Sequence, residues 1–331
     1  MIRPESLEFP PLNCSLDRQL GGYYQDFSQA IRLFEEGSYG PPALDGAPQI
    51  ADTRKGDRRN AIITAQYALA NMTVAARGNG SRMELARRLL NSLVATQEPE
   101  GEWAGCWLVK YDNPKYPWLT APWTSAMASG HAISALLRGW ELFGLESYLT
   151  AAEAAYHALH RPRTGTRLYE EMGNELWYEE YPALPPVRVL NGHVYSLLGV
   201  ADYARVSGDP EADSRWRRAA ATAIAHLRDF DLGYWSAYDL RWREPTSIHY
   251  HKNMHIPQLR VLAALTDDPR PAQTANRWDR YLHSPFCRLR WIVATRAHRW
   301  HARPPWASRA MDKRRLETLR SRSRSSVDDR D

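Results

Sequence analysis

Residues 124–162 read TSAMASGHAISALLRGWELFGLESYLTAAEAAYHALHRP. Thr124 can cap a helix over residues 124–143, and Gly144 supplies its stop. Ser147 opens a second, alanine-rich helix that halts before Pro162. Two helices joined by so short a turn form an antiparallel hairpin. The unit recurs on both sides of this stretch. Upstream, residues 60–76 place Ile63, Tyr67, Leu69 and Ala70 near one face, with Asn60 as cap. Gly78-Asn79-Gly80 ends that helix, and Ser81 caps the next, with Glu84 at the capping-box position. Downstream, residues 188–206 end at Ser207-Gly208, and Asp209-Pro210 starts a helix running to about Phe230. Helices near 256–265 and 270–283 follow, separated by Asp267-Asp268-Pro269.

Longer aromatic loops separate the pairs, over residues 98–122, 163–187 and 231–254, and strand signals are confined to them. The pattern predicts an all-α fold of stacked hairpins. The pairs differ in sequence and carry elaborate loops, which favours closure into an α/α toroid over an open solenoid. Short β-hairpin-like loops at one end would then line a cleft, and chemistry is expected there.

The chain has 331 residues, with a formal net charge of +5. That charge is unevenly placed. Residues 286–331 carry 13 Arg/Lys against 5 Asp/Glu, leaving residues 1–285 with 30 against 33. The division predicts a toroid domain over 1–285 and a basic, Arg/Ser-rich tail over 286–331, largely disordered. A basic isoelectric point that resides in the tail argues against a nucleic-acid partner for the body. No stretch is long and apolar enough for a membrane span, and the first twenty residues lack a signal-peptide core. The three cysteines, Cys14, Cys106 and Cys287, suggest neither a disulfide framework nor a zinc site, so a reducing, cytoplasmic setting is expected. A homodimer is compatible with the sequence. The 13 Trp and 17 Tyr suit either a large helical core or stacking on sugar faces.

Two loops concentrate acid/base groups. In the second, Trp177-Tyr178-Glu179-Glu180-Tyr181-Pro182 is followed by Val189-Leu190-Asn191-Gly192 at the head of a helix. Adjacent residues of an extended segment point to opposite sides, so one of Glu179 and Glu180 should face the cleft. The third loop holds Tyr238-Asp239-Leu240-Arg241, then His249-Tyr250-His251 and His255. The histidines could form a metal set, but no Asp, Glu or Cys lies close to them, and hydrogen-bonding roles are preferred. No metal is expected, and no GxGxxG or P-loop pattern calls for a cofactor.

WYEEYP followed by LNG and YSLLG resembles the glucuronyl C5-epimerases of heparan sulfate and heparosan biosynthesis. YDLR and the YH…HIxQL stretch recur in that family in the same order. Upstream, Pro122-Trp123-Thr124-Ser125-Ala126-Met127-Ala128, with Gly130-x-Ala132-Ile133-Ser134 and Leu137-Arg138, resembles its other signature helix. The resemblance covers about residues 22–284. It implies that Glu180, Tyr181, Tyr238 and Tyr250 sit at the reacting sugar. It also implies that Arg241 meets the substrate carboxylate, with Asn191 alongside. Trp123, Trp177, Glu179, His251 and His255 complete the expected contacts. The animal members have two residues between the paired histidines, whereas Lys252, Asn253 and Met254 make three here. Anchoring on His255-Ile256 puts His251 in the tyrosine slot, while anchoring on Tyr250-His251 requires an insertion.

The implied reaction inverts carbon-5 of D-glucuronate to L-iduronate within a polysaccharide. The proton removed is weakly acidic, so the neighbouring carboxylate must be neutralised and an acid/base group must stand on each face of the ring. Arg241 could do the first and favour a phenolate nearby. Glu180 with Tyr250 and Tyr181 could supply the two faces, with Tyr238 assisting. A uronate polysaccharide lyase would share the first step. A sugar-binding relative without turnover, or a nucleic-acid binder acting through the tail, are the readings outside this chemistry.

Overall fold

Each hairpin is set by its terminal residues and by what packs between the helices. A computed structural model of the chain describes residues 6–35, 43, 46–48, 59–113, 115–116, 118–163 and 167–301. A short helix α1 (Ile31–Glu35) precedes the pairs α2 (Ala61–Ala76) with α3 (Ser81–Thr96) and α4 (Ala126–Phe143) with α5 (Glu146–Leu159). A hairpin of β1 (Tyr169–Met172) and β2 (Glu175–Tyr178) follows, in antiparallel register with Tyr169 opposite Tyr178. Then come α6 (Leu190–Ser207) with α7 (Pro210–Ala225), the single turn α8 (Ile248–Tyr250), a π-helical turn His251–His255, and α9 (Ile256–Thr266) with α10 (Pro269–His283). The last helix is α11 (Pro285–His301).

Asn60 caps α2, its Oδ1 accepting from Ile62 N–H at 2.9 Å. Asp209 and Asp268 do the same for α7 and α10, each with proline in the first turn. Gly144 and Gly208 close α4 and α6 in the left-handed conformation, at φ 64° and 69°. Two expected caps fail. Ser81 is the first residue of α3, whose entry is formed by backbone bonds from Arg82 to Asn79 and from Met83 to Gly80. Thr124 lies outside α4, where Ser125 takes the cap position without a side-chain cap bond.

The hairpins form two layers. Helices α2, α4, α6 and the π-turn with α9 follow one another along the inner layer, and α3, α5, α7 and α10 lie outside them. At the α4–α6 crossing the backbones touch: a Cβ on Gly199 would lie 2.3 Å from the Gly130 carbonyl oxygen, so both positions require glycine. The N-terminal segment bridges the last inner element to the first. Gln25 Nε2 donates to Phe9 O and to Asn253 O of the π-turn, at 3.0 and 3.1 Å. The 3₁₀ turn at Ser28–Ala30 then packs on α2. The result is an α/α toroid. Its inner wall is fastened by a buried ion pair, Arg138 Nη1 to Asp202 Oδ2 at 2.6 Å, to which Ser134 and Tyr24 hydroxyls also donate. Among the described residues no helix is long and apolar enough to cross a membrane.

The expected tail begins too early. Residues 285–301 continue the helical architecture instead of leaving it. Trp291 stacks on Trp235 at 5.3 Å, and its indole N–H donates to Thr246 O at 2.8 Å. A half-buried aromatic anchor, Trp291, holds this segment despite its basic composition. Residues 302–331, where the disordered stretch was expected, lie outside the described residues.

Candidate active site

The three aromatic loops meet at one end of the toroid and share a small apolar core. Val109, Tyr116 and Trp123 come from the first, Ala183 and Val187 from the second, and Tyr238 from the third. Isolated bridges knit them, Val109 to Trp123 and Val189 to Asp239.

Strand β2 leads into Glu179 and Glu180, whose side chains diverge. Glu179 turns inward. One carboxylate oxygen accepts from Arg188 N–H at 3.1 Å, the other has no partner among the described residues, and burial pushes its pKa up to about 8. Glu180 turns to the loop core and rests on the first turn of α6. A Cβ on Gly192 would sit 2.4 Å from Glu180 Cβ, so the glycine of the Leu190-Asn191-Gly192 triplet makes room for the carboxylate. Asn191 Nδ2 donates to Glu180 Oε2 at 3.3 Å. Burial raises the Glu180 pKa to about 7, with hydrogen bonds from Tyr181 and Asn191 and the charge of Lys115 holding it from rising further.

A hydroxyl chain continues from this carboxylate. Tyr181 bonds Glu180, and the Tyr181 and Tyr238 hydroxyls lie 3.3 Å apart. The Tyr250 ring meets Tyr238 edge-on at 5.4 Å. Burial first, then the Glu180 charge, pushes Tyr181 and Tyr238 well above the usual phenol range. These phenols therefore carry their protons, and the phenolate anticipated from a neighbouring guanidinium is not the resting form. Within this hydroxyl chain, the group that titrates near neutrality is Glu180.

Arg241 lies at the edge of this cluster. Its Nη1 donates to Pro185 O at 3.1 Å, and its guanidinium lies over the Trp242 and Trp118 rings at 4.5 and 5.0 Å. Tyr116 carries this aromatic wall inward, stacking on Trp242 at 5.4 Å and meeting Tyr181 at 4.6 Å. The cation at the cluster itself is Lys115, with Nζ 3.7 Å above the centre of the Tyr238 ring and an ion pair to Glu244. Sequence reasoning missed it. Its one signal was its type, since the chain has only five lysines. Trp123 borders the site, 6.0 Å from the Tyr181 ring. Beyond Trp123 lies a cavity of about 270 Å³ whose lining includes Asn60, Trp107, Lys110 and Ser125.

Besides Glu179, three residues expected to contact substrate lie away from the phenols. Trp177 stacks on the His193 ring at 3.9 Å within the core, fully buried. His251 and His255 are also buried, behind Tyr250. His251 Nε2 donates to Trp278 O at 3.0 Å, so its Nδ1 accepts from Ser236 Oγ at 2.7 Å. His255 Nδ1 donates to the same oxygen at 2.9 Å. Burial lowers their pKa values to about 4 and about 3, and both rings are neutral. His249 pairs with Asn253 instead, at 3.0 Å. Among the described residues no three His, Cys, Asp or Glu side chains are grouped to hold a metal. Of the two possible alignments, the one with an insertion matches the geometry. The extra residue is taken up by the π-turn, in which Ile256 N–H bonds His251 O, five residues back.

The family model described as D-glucuronyl C5-epimerase C-terminus matches residues 97–280. A D-glucuronyl C5-epimerase from Caenorhabditis elegans is 30% identical over 212 residues, covering 54% of this chain and 34% of that protein. An uncharacterised protein, MJ1128 of Methanocaldococcus jannaschii, is 26% identical over 164 residues, covering 48% of this chain and 50% of the relative. The chain thus spans between a third and a half of the length of these curated relatives. Among solved structures, a mutant of Rex8A from Paenibacillus barcinonensis complexed with xylose superposes with a TM-score of 0.49 at 18% identity, over 81% of this chain and 75% of that one.

Proposed function

The chain belongs to the family described by the D-glucuronyl C5-epimerase C-terminus, and from that premise we propose that it inverts carbon-5 of glucuronate within a uronate polysaccharide. A heparosan-like polymer, with iduronate as product, is the substrate class the resemblance favours. One observation carries the chemistry: a buried carboxylate titrating near 7, hydrogen-bonded into a chain of phenols. A base poised near neutrality suits proton abstraction next to a carboxylate.

In one direction Glu180 takes the proton from carbon-5. The C–H electron pair spreads onto the sugar carboxylate as an enediolate. Tyr250, supported by Tyr238, gives its hydroxyl proton to the opposite face. The Glu180 proton returns through the Tyr181 and Tyr238 hydroxyls to the phenolate, which resets the site. The reverse reaction exchanges these roles. Lys115 offsets the enediolate charge. Arg241, flanked by Trp118 and Trp242, extends the cationic and aromatic wall to the next sugar. The cavity beyond Trp123 gives room for a further ring of the polymer.

The test is incubation of the protein with heparosan and with other glucuronate polymers in deuterated water. Deuterium at carbon-5 with iduronate formation is expected. Unsaturated products absorbing in the ultraviolet would mean elimination, and no exchange with any of the polymers would refute carbanion chemistry at this site.

A further inference from the structure

Helix α11 has two faces of opposite character. Its inner face carries Trp291, bound to Trp235 and Thr246, and His298, whose Nε2 lies 3.5 Å from Glu244. Its outer face repeats at helical spacing with Phe286, Leu289 and Val293, and Ile292 beside them. Phe286 is 71% exposed, Leu289 61% and Val293 59%. Large apolar side chains this open, side by side on one ordered helix, are uncommon on a soluble surface. Arg288 and Arg296 are also exposed, and the helix sequence contains four arginines and no Asp or Glu. Arg290 leans over the Tyr234 ring at 4.3 Å, at the boundary between the faces.

We propose that the outer face of α11 docks on an anionic lipid surface, lying in its plane. The combination of side chains selects this occupant. A hydrated polyanion would satisfy the arginines and leave Phe286, Leu289 and Val293 in water. A second copy of the same face would bury the apolar stripe but bring two sets of arginines together. An anionic bilayer accepts both, with acyl chains receiving the stripe and headgroups the guanidinium groups. Because Trp291 ties α11 to the loop that carries Tyr238, docking also fixes the loop end of the toroid relative to that surface.

The experiment is co-sedimentation of the full chain with phosphatidylcholine vesicles, and with the same vesicles doped with phosphatidylglycerol, at about 0.1 M salt. Pelleting with the anionic vesicles is expected, weakened at least about tenfold by Phe286→Ser/Leu289→Ser/Val293→Ser. Arg288→Ala/Arg296→Ala should weaken pelleting less and reduce its dependence on lipid charge. The substituted positions face solvent, so melting followed by circular dichroism should be unchanged. If the triple variant does melt lower, Leu289→Gln alone carries the test. The proposal is overturned if the protein stays in the supernatant, or if the serine variant pellets like the wild type, which would place binding in the basic charge alone. It is also overturned if the serine substitutions abolish a dimer rather than lipid binding.

Discussion

Replacing Glu180 by glutamine separates its contribution to catalysis from its contribution to stability, because the two should move in opposite directions. The carboxylate is buried and its pKa stands at about 7 rather than the ordinary 4.5. A group whose folded pKa is raised favours the folded state most below its unfolded pKa. That advantage is lost as pH rises through 4.5 to about 7. Above pH 7 the wild type therefore bears the burden of a buried charge, worth about 3 kcal/mol from the size of the shift. Glutamine removes it and still offers the Tyr181 hydroxyl a neutral acceptor; the stronger bond to the charged carboxylate is already counted in that net shift. The expectation at pH 8 is a variant more stable than the wild type, by up to about 3 kcal/mol. Its exchange rate at carbon-5 should fall by about 10²–10⁴-fold, as for loss of a positioned base. In the wild type the same rate should rise about tenfold per pH unit below 7 and level off above it. The assay is solvent deuterium incorporation followed by NMR across pH 5.5–8.5 (a range of about three units centred on the Glu180 value), with melting curves on the same samples. A Glu180→Gln protein that exchanges within a few-fold of the wild type would refute Glu180 as the base. So would a wild-type rate that is flat between pH 6 and 8 (about one unit either side of that value).

Lys115→Met removes the positive charge that holds the Glu180 pKa down, so the acid limb of the pH–rate profile should move to higher pH. An unchanged midpoint would show that Lys115 is not coupled to the base. Glu179→Gln should leave exchange nearly intact, because that carboxylate faces Arg188 rather than the phenols. The Glu179 pKa is raised to about 8, so the variant should gain stability over the wild type as pH rises from 4.5 through 8, by a few kcal/mol at most. Equal melting differences at pH 6 and pH 9 (about two units below and one above the Glu179 value) would count against it. Asp202→Asn leaves Arg138 buried with its ion pair broken and should cost about 3–5 kcal/mol, read as a lower melting temperature. A loss under about 1 kcal/mol would mean that neighbouring carbonyls suffice for the guanidinium.

What the sequence disclosed and what it withheld follow the range of the interactions involved. Gly144, Gly208 and the Asp-Pro pairs mark helix ends through bonds made within four residues, and those ends were legible. The start of α4 was not. Its first N–H, on Ala126, bonds Glu179 O at 3.1 Å, so the residue after β2, more than fifty positions away, takes the place of the local cap expected at Thr124. Helix α7 stops at Ala225, and the chain turns so that Leu227 and Phe230 enter the core, a tertiary demand that periodicity does not register. In the site, two-residue alternation separates Glu179 from Glu180. The same alternation groups Trp177 with Glu179, away from the phenols, which was there to be read and was overlooked. Lys115 was unreadable for another reason. It acts through Tyr238 and Glu244, which only the closure of the ring brings to it.

The histidine pair shows how a departure in spacing can leave a site undisturbed. A residue added to a regular helix turns everything beyond it by about 100°. Had α9 simply been extended, either Tyr250 would leave Tyr238 or Ile256, Leu259 and Leu262 would leave the core. Neither happens: Tyr250 meets Tyr238 at 5.4 Å, and all three apolar residues are buried. The π-turn confines the added residue to His251–His255, where its wider ring needs side chains to hold it. Ser236 supplies that hold by bonding both histidines, and Trp278 O takes the remaining proton of His251. The histidines that looked like ligands for a metal or a sugar are therefore the fastening of the segment that presents Tyr250. The cost of the insertion is met behind the tyrosine rather than at it.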